Sequence, residues 1–226
     1  MQTQLPLGIE LKPSVDFNSY IAGRNAEALA RLRVEHDPLI YIWGTPGCGK
    51  SHLLQAACRQ ASQTGRHCAY VPLIEIADLE PDLLEGLENL DLVCLDDLGQ
   101  LAGNPEWELA LFNLFNLLRE QNAQLLVSAN TPPAQLPVKL RDLASRLTWG
   151  PCYQILPLDD NGRQELLMRN AEQRGLELTP ETASFLLQRI PRDIHSLTRL
   201  VEKLDQASLA AQHKLTIPFV RKVLGL

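Results

Sequence analysis

No apolar run in this chain approaches the roughly 18 residues that a membrane-spanning helix needs, and no basic stretch leads an apolar one as in a signal peptide. The expectation is a chain with no membrane partner. Positive charge in excess is missing as well. A net charge of −6 gives no sequence-independent hold on DNA or on an acidic bilayer, both of which need clustered lysine and arginine. Contact with nucleic acid should therefore be indirect or local, with no direct sequence-specific DNA reading. Aromatic residues are scarce at 5%, against 45% hydrophobic residues overall. Leucine and alanine make up most of the remainder, a balance that favours helices packed on a sheet. The five cysteines, Cys48, Cys58, Cys68, Cys94 and Cys152, show no CxxC pair and no metal-like spacing. An odd count without such spacing argues against a disulfide framework and for a reducing, cytoplasmic setting.

What is present is an ordered alternation. A chain of 226 residues suits one compact unit with an appended subdomain. Residues 1–16 carry Pro6 and Pro13 without sustained periodicity and read as a tail. "NAEALARLRV" (25–34) has a helical pattern, and "LIYIW" (39–43) is the short continuous apolar run of a strand buried on both faces. After a glycine-rich turn, "SHLLQAACRQAS" reads as a helix, followed by strands at 68–73, 90–97 and 123–130, with "ELALFNLFNLLREQ" helical between the last two. Such alternation predicts a parallel sheet with helices on both faces. From about Asp159 three helical stretches follow without a convincing strand between them: 161–174, 180–190 and 193–211. A short last helix opens at "IPFVRKVL", and Thr179-Pro180 is a suitable helix start. The domain reading is a tail (1–16), an α/β core (17–157) and a small helical lid (158–226).

The chemistry gathers at "GTPGCGKS". Gly44, Thr45, Pro46, Gly47, Cys48, Gly49, Lys50 and Ser51 fit GxxxxGK[ST] without a mismatch, between a strand and a helix, as a phosphate-binding loop requires. Glycines let successive N–H groups curl around phosphate oxygens, Lys50 neutralises the outer phosphates and Ser51 helps hold Mg2+. His52 follows directly and is included in the nucleotide-contacting set. "LVCLDD" supplies the expected carboxylates at a second strand end: Asp96 to hold Mg2+ through water, Asp97 to orient the attacking water. Asn130 ends another strand at the same sheet edge, where it can reach the γ-phosphate or simply form the turn before "TPP". The cofactors implied are ADP or ATP with Mg2+.

Together these residues resemble the AAA+ ATPases, with a P-loop α/β core, a parallel sheet and a small C-terminal helical lid. Within them, "FNSYIAGRNAEALARL" (17–32), "GKSHLLQAA" and "LRDLASRLTWG" (140–150) are similar to the bacterial replication initiator DnaA and its relatives. The resemblance covers 17–226. It implies that 17–32 cups the base, that Arg146 is the subunit-interface arginine, and that Arg192 and His195 of "PRDIHSL" face the nucleotide from the lid, with His195 where the family places an arginine. It also implies a chain without DnaA's DNA-reading module and N-terminal domain. "HKLTIPFVRKVLGL" is similar to the DnaA relatives that inactivate DnaA from the DNA polymerase III sliding clamp. "QLPLGI" then reads as a clamp-binding peptide, with Gln4 at a pocket rim and Leu5, Leu7 and Ile9 in apolar subsites. In such a protein Arg146 acts on ATP bound to DnaA, and association with further copies of itself would compete for the same surface. Rival readings are a helicase loader or stand-alone ATPase working in cis, a small-molecule kinase and a passive adaptor.

Overall fold

The computed structural model describes residues 15–34, 37–191, 193–211 and 215–225. The chain divides between Leu156 and Pro157 into two compact units. In chain order the first holds α1 (Ala26–Leu32), β1 (Leu39–Trp43), α2 (Lys50–Gln63), β2 (Cys68–Pro72) and α3 (Leu73–Ile76). It continues with β3 (Leu92–Asp96), α4 (Pro105–Glu120), β4 (Gln124–Ala129), α5 (Arg141–Arg146) and β5 (Cys152–Gln154). The strands form one sheet in the order β2-β3-β4-β1-β5, parallel at every pairing.

The apolar strand runs follow from this placement, because a parallel sheet is covered on both faces. Leu39 and Tyr41 of β1 and Val93 and Leu95 of β3 join the core formed with Trp107, Leu111 and Leu114 of α4 and Leu143 of α5. Ile40 and Ile42, with Leu92 and Cys94, enter the opposite core beside Leu53, Leu54 and Cys58 of α2. The period-two alternation of the strands thus assigns every second side chain to a different helical layer.

Two features differ from the sequence reading. β5 was not expected: it has three residues, two of them exposed, and so lacks the apolar run that marks the other strands. The run "CAYVPL" leaves the sheet at Pro72, and Leu73 opens α3 instead of prolonging β2.

The second unit is helical, with α6 (Asp160–Glu172), α7 (Pro180–Leu187), α8 (Ile194–Ala211) and α9 (Ile217–Leu224). Asp159 caps α6 by accepting from the Gly162 amide at 2.8 Å, and Thr179 caps α7 by accepting from Thr182 at 3.3 Å. These caps satisfy amides that the first helical turn leaves without partners. Leu167, Leu186, Leu197, Leu204 and Val220 fill its core. Among the described residues of this unit, its β pairing is a single parallel bridge, Leu178 to Leu215.

Candidate functional site

Parallel strands bring their C-terminal ends to one sheet edge, and that is where the predicted residues meet. Gly44 follows β1 so closely that a Cβ there would run into the Ile155 carbonyl and the Cys48 sulfur. Gly49 stands at φ 100°, a left-handed conformation open to glycine at little cost. Between them Thr45, Pro46 and Gly47 are exposed, while Cys48 is buried and anchors the loop in the α2-side core. Burial pushes the Cys48 thiol up, against the pull of Lys50, so it behaves as a small apolar group.

Lys50 opens α2 and is only 5% exposed. Its ammonium donates to the Gly44 carbonyl at 3.0 Å, the Thr45 carbonyl at 3.4 Å and Asn130 Oδ1 at 3.1 Å. Asn130 reaches it because β4 pairs directly with β1. All three of these oxygens are neutral, so the lysine charge stays available for an anion. Ser51, one residue further, is exposed.

Asp96 ends β3 and is 3% exposed. Ser128 Oγ donates to its Oδ1, and the Tyr70 hydroxyl donates to its Oδ2 at 2.7 Å. Asp97 adopts φ 62°, and its amide donates to the same Ser128 Oγ at 2.9 Å. Burial, then the neighbouring Asp96 charge, raise the Asp97 carboxyl above its usual range, with Lys50 opposing them. Sequence reasoning missed Tyr70 and Ser128. Their signal is register: Leu95 pairs with Val127 and Pro72 with Asp96, which brings β2 and β4 side chains to both flanks of the acid.

The segment before α1 leans on this loop. The Tyr20 ring lies against Gly49, where a Cβ would come within 2.9 Å of it, and meets His52 edge-on at 5.4 Å. His52 Nε2 is also within hydrogen-bond distance of the Asp16 carbonyl at 2.9 Å and of Ser19 Oγ at 3.2 Å. Its ring is thus engaged by residues 16–20, and burial lowers its pKa against the raising influence of Asp16. Asn25, 4% exposed, ties the segment to the Leu156 backbone with hydrogen bonds at 2.9 and 2.8 Å.

Arg146 is not part of this assembly. Its guanidinium stacks at 4.1 Å from the centroid of Phe112 and at 5.5 and 5.6 Å from Phe115 and Trp149. Nη1 is buried without a hydrogen-bond partner. Gly150, next to Trp149, abuts Leu39, the first residue of β1. β1 spans about 13 Å from there to Trp43 at the loop. Glu108 of α4 fixes the start of α5 by accepting from the amides of Gly103 at 2.6 Å, Lys139 at 3.0 Å and Leu140 at 2.7 Å.

The residues at the sheet edge suit a nucleotide: a glycine cradle, a buried lysine that has no carboxylate partner among the described residues, and an acid two strands away across β4. For Mg2+ they offer one hydroxyl and one carboxylate, and among the described residues no cluster of three metal-ligating side chains exists. That is the donor set of an ion completed by phosphate oxygens and water. Arg192, the His195 side chain, Gln4, Leu5, Leu7 and Ile9 lie outside the described residues. Among those described, no helix is long and apolar enough to cross a membrane.

Residues 11–154 match the family described as the bacterial DnaA ATPase domain, and residues 160–224 match the lid domain of Hda. AMPPCP-bound DnaA from Aquifex aeolicus is similar at TM-score 0.75 and 25% identity, over 88% of this chain and 67% of that one. Domain III of the Thermotoga maritima replication initiation protein DnaA is similar at TM-score 0.81 and 20% identity, over 96% and 98%. The RuvB Holliday junction branch migration motor of the same organism gives TM-score 0.71 and 17% identity, over 95% and 72%. The two Thermotoga likenesses speak for the fold.

Proposed function

The chain belongs to the bacterial DnaA ATPase family, with a lid like that of Hda, and from this premise we propose that it is a negative regulator of replication initiation that inactivates DnaA. It binds ADP or ATP at residues 44–51, docks on the sliding clamp through Gln4, Leu5, Leu7 and Ile9, and presents Arg146 to ATP held by DnaA. The supporting observation is the position of Arg146, stacked on aromatic faces at the far end of β1 from Lys50, with Nη1 unpartnered. An arginine so placed has no role at its own loop, whereas one supplied by a neighbour stabilises the charge of the transferring phosphoryl group.

Within its own site, Lys50 neutralises the outer phosphates, and Asn130, which accepts from Lys50, is placed to meet the γ-phosphate or its attacking water. Mg2+, when bound with nucleotide, would draw charge from the phosphate oxygens, with Ser51 and Asp96 as the protein's contribution. The test is turnover of DnaA-bound ATP with and without DNA-loaded clamp. Stimulation should require the loaded clamp and should disappear when Leu5 and Leu7 are both replaced by alanine. No stimulation under either condition overturns the reading.

One observation favours a second reading, a helicase loader or stand-alone AAA+ ATPase: Lys50, Asp96, Asp97 and Asn130 stand together within a single chain. A chain lacking residues 1–14 that kept full activity would support it.

A further inference from the structure

Arg146 is the last residue of α5, which is six residues long. A helix that short does not hold itself in water, so its direction is set by whatever grips it. Leu140, which caps it, makes no side-chain cap bond. The acceptor at this end comes from α4. Glu108, 1% exposed, takes the Leu140 amide at 2.7 Å on Oε2 and the Lys139 amide at 3.0 Å on both carboxylate oxygens, while Oε1 also takes the Gly103 amide at 2.6 Å. Burial pushes this carboxyl up, but the amides of Lys139, Gly103 and Leu140 outweigh it and hold it below its usual range. The grip is therefore charge-assisted at neutral pH.

The same face of α4 grips the other end of α5. Phe112 and Phe115 follow Glu108 by four and seven residues, which puts all three on one stripe of the helix. Along the axis Phe115 lies about 10 Å beyond Glu108, and Arg146 lies about 9 Å beyond Leu140. The two helices thus run in the same direction, joined by the carboxylate at their starts and by the stacked guanidinium further on. Ring faces set the plane of a guanidinium but let it slide, because a cation–π contact has no hydrogen-bond direction. Leu143 and Leu147 hold α5 down on the core, and the directional bonds to Glu108 fix how far it advances along α4.

We propose that Glu108 is the positioning residue for Arg146: by anchoring α5 at its start, it sets the reach of the guanidinium toward the phosphate held by a partner. This rests on the reading of Arg146 given above. Glu108 is buried beneath α5 and acts through Arg146 alone. A shift of about 1 Å in a group that must meet a transition state costs up to about a hundredfold in rate.

The test is hydrolysis of DnaA-bound ATP with DNA-loaded clamp, titrated with the full chain carrying Glu108→Gln. The carboxamide keeps the size of the side chain, but its NH2 faces amides that donate, so at least one of them loses its acceptor. The maximal rate should fall about 10- to 100-fold. The concentration of chain at half-maximal stimulation, and the chain's own affinity for N-methylanthraniloyl ADP, should stay at the native values. A chain that was merely less folded would instead need a higher concentration to reach the same maximum. Glu108→Asp keeps the charge but draws it back by one methylene, and it should lower the maximum in the same direction. A native maximum in Glu108→Gln overturns the proposal, as does loss of that variant's own nucleotide affinity; if Glu108→Gln fails to fold, a native maximum in Glu108→Asp overturns it. Native stimulation by Arg146→Ala would sink the reading of Arg146 itself, an outcome distinct from Arg146→Ala losing stimulation while Glu108→Gln keeps it.

Discussion

Lys50 and Arg146 are two cations held by the same unit in opposite ways. Lys50 is buried at the C-terminal edge of the sheet among three neutral oxygens that take its protons one by one. Arg146 lies against three aromatic faces that restrain the guanidinium plane and leave Nη1 with no acceptor. Oxygens fix an ammonium in place for a ligand that comes to it. Ring faces hold a cation through their quadrupoles without using its N–H donors. Under the proposed function, the difference separates a group that works at home from one that works on a neighbour.

The sharpest way to break this comparison is to delete each cation and read both activities. Arg146→Ala should lower stimulation of DnaA-bound ATP hydrolysis by about 10³-fold, measured as phosphate release, while the chain's own nucleotide affinity stays at the native value. Arg146→Lys should recover little, because a point charge lacks the planar fork. Lys50→Ala should do the reverse, weakening nucleotide binding by about a hundredfold through loss of charge-assisted contacts. If Arg146→Ala also weakened the chain's own nucleotide binding, the two cations would not be separate devices.

A smaller effect concerns the platform. Trp149 is 54% exposed and carries Arg119 at 4.8 Å on its ring in addition to Arg146. Trp149→Ala should reduce stimulation by about two- to fivefold, the weight of one exposed cation–π contact, and Trp149→Phe should restore most of it. An unchanged rate in Trp149→Ala would assign the restraint to Phe112 and Phe115 alone.

The Lys50 edge was legible in the sequence far more fully than the Arg146 edge, for a physical reason. A phosphate loop is local: glycines, lysine and serine act within eight consecutive residues, and the strand before it announces itself as "LIYIW". The acid strand was found because its apolar run ends in two aspartates. Tyr70 and Ser128 were not found, since each sits inside an apolar strand and acquires its partner only when β2 and β4 come into register with β3. The Arg146 platform is wholly tertiary. Phe112 and Phe115 look like any core face of a helix, and nothing along the chain indicates that they receive a guanidinium from α5. β5 escaped because three residues at a sheet edge carry too little apolar pattern to distinguish them from a loop.

The smallest expected effect probes how much strain the Lys50 edge carries. Asp97 combines a left-handed backbone with a carboxyl raised above 3.8 by burial first and by Asp96 second. A raised carboxyl means that the fold binds the proton more tightly than the unfolded chain does. Its contribution to stability is present below 3.8 and is lost as pH rises through the folded value, so at neutral pH the charge works against the fold. Asp97→Asn removes that charge, tolerates the positive φ as asparagine does, and leaves the backbone amide bond to Ser128 intact. Thermal unfolding at pH 7 should therefore show a higher midpoint for Asp97→Asn than for the native chain, and the gap should close as pH falls toward 3.8. The same exchange at Asp142, exposed on α5 near Arg146, should leave the midpoint nearly where it is. A lower midpoint for Asp97→Asn at pH 7 would mean that Lys50 outweighs burial and Asp96 together, and the lysine would then be paired at home after all.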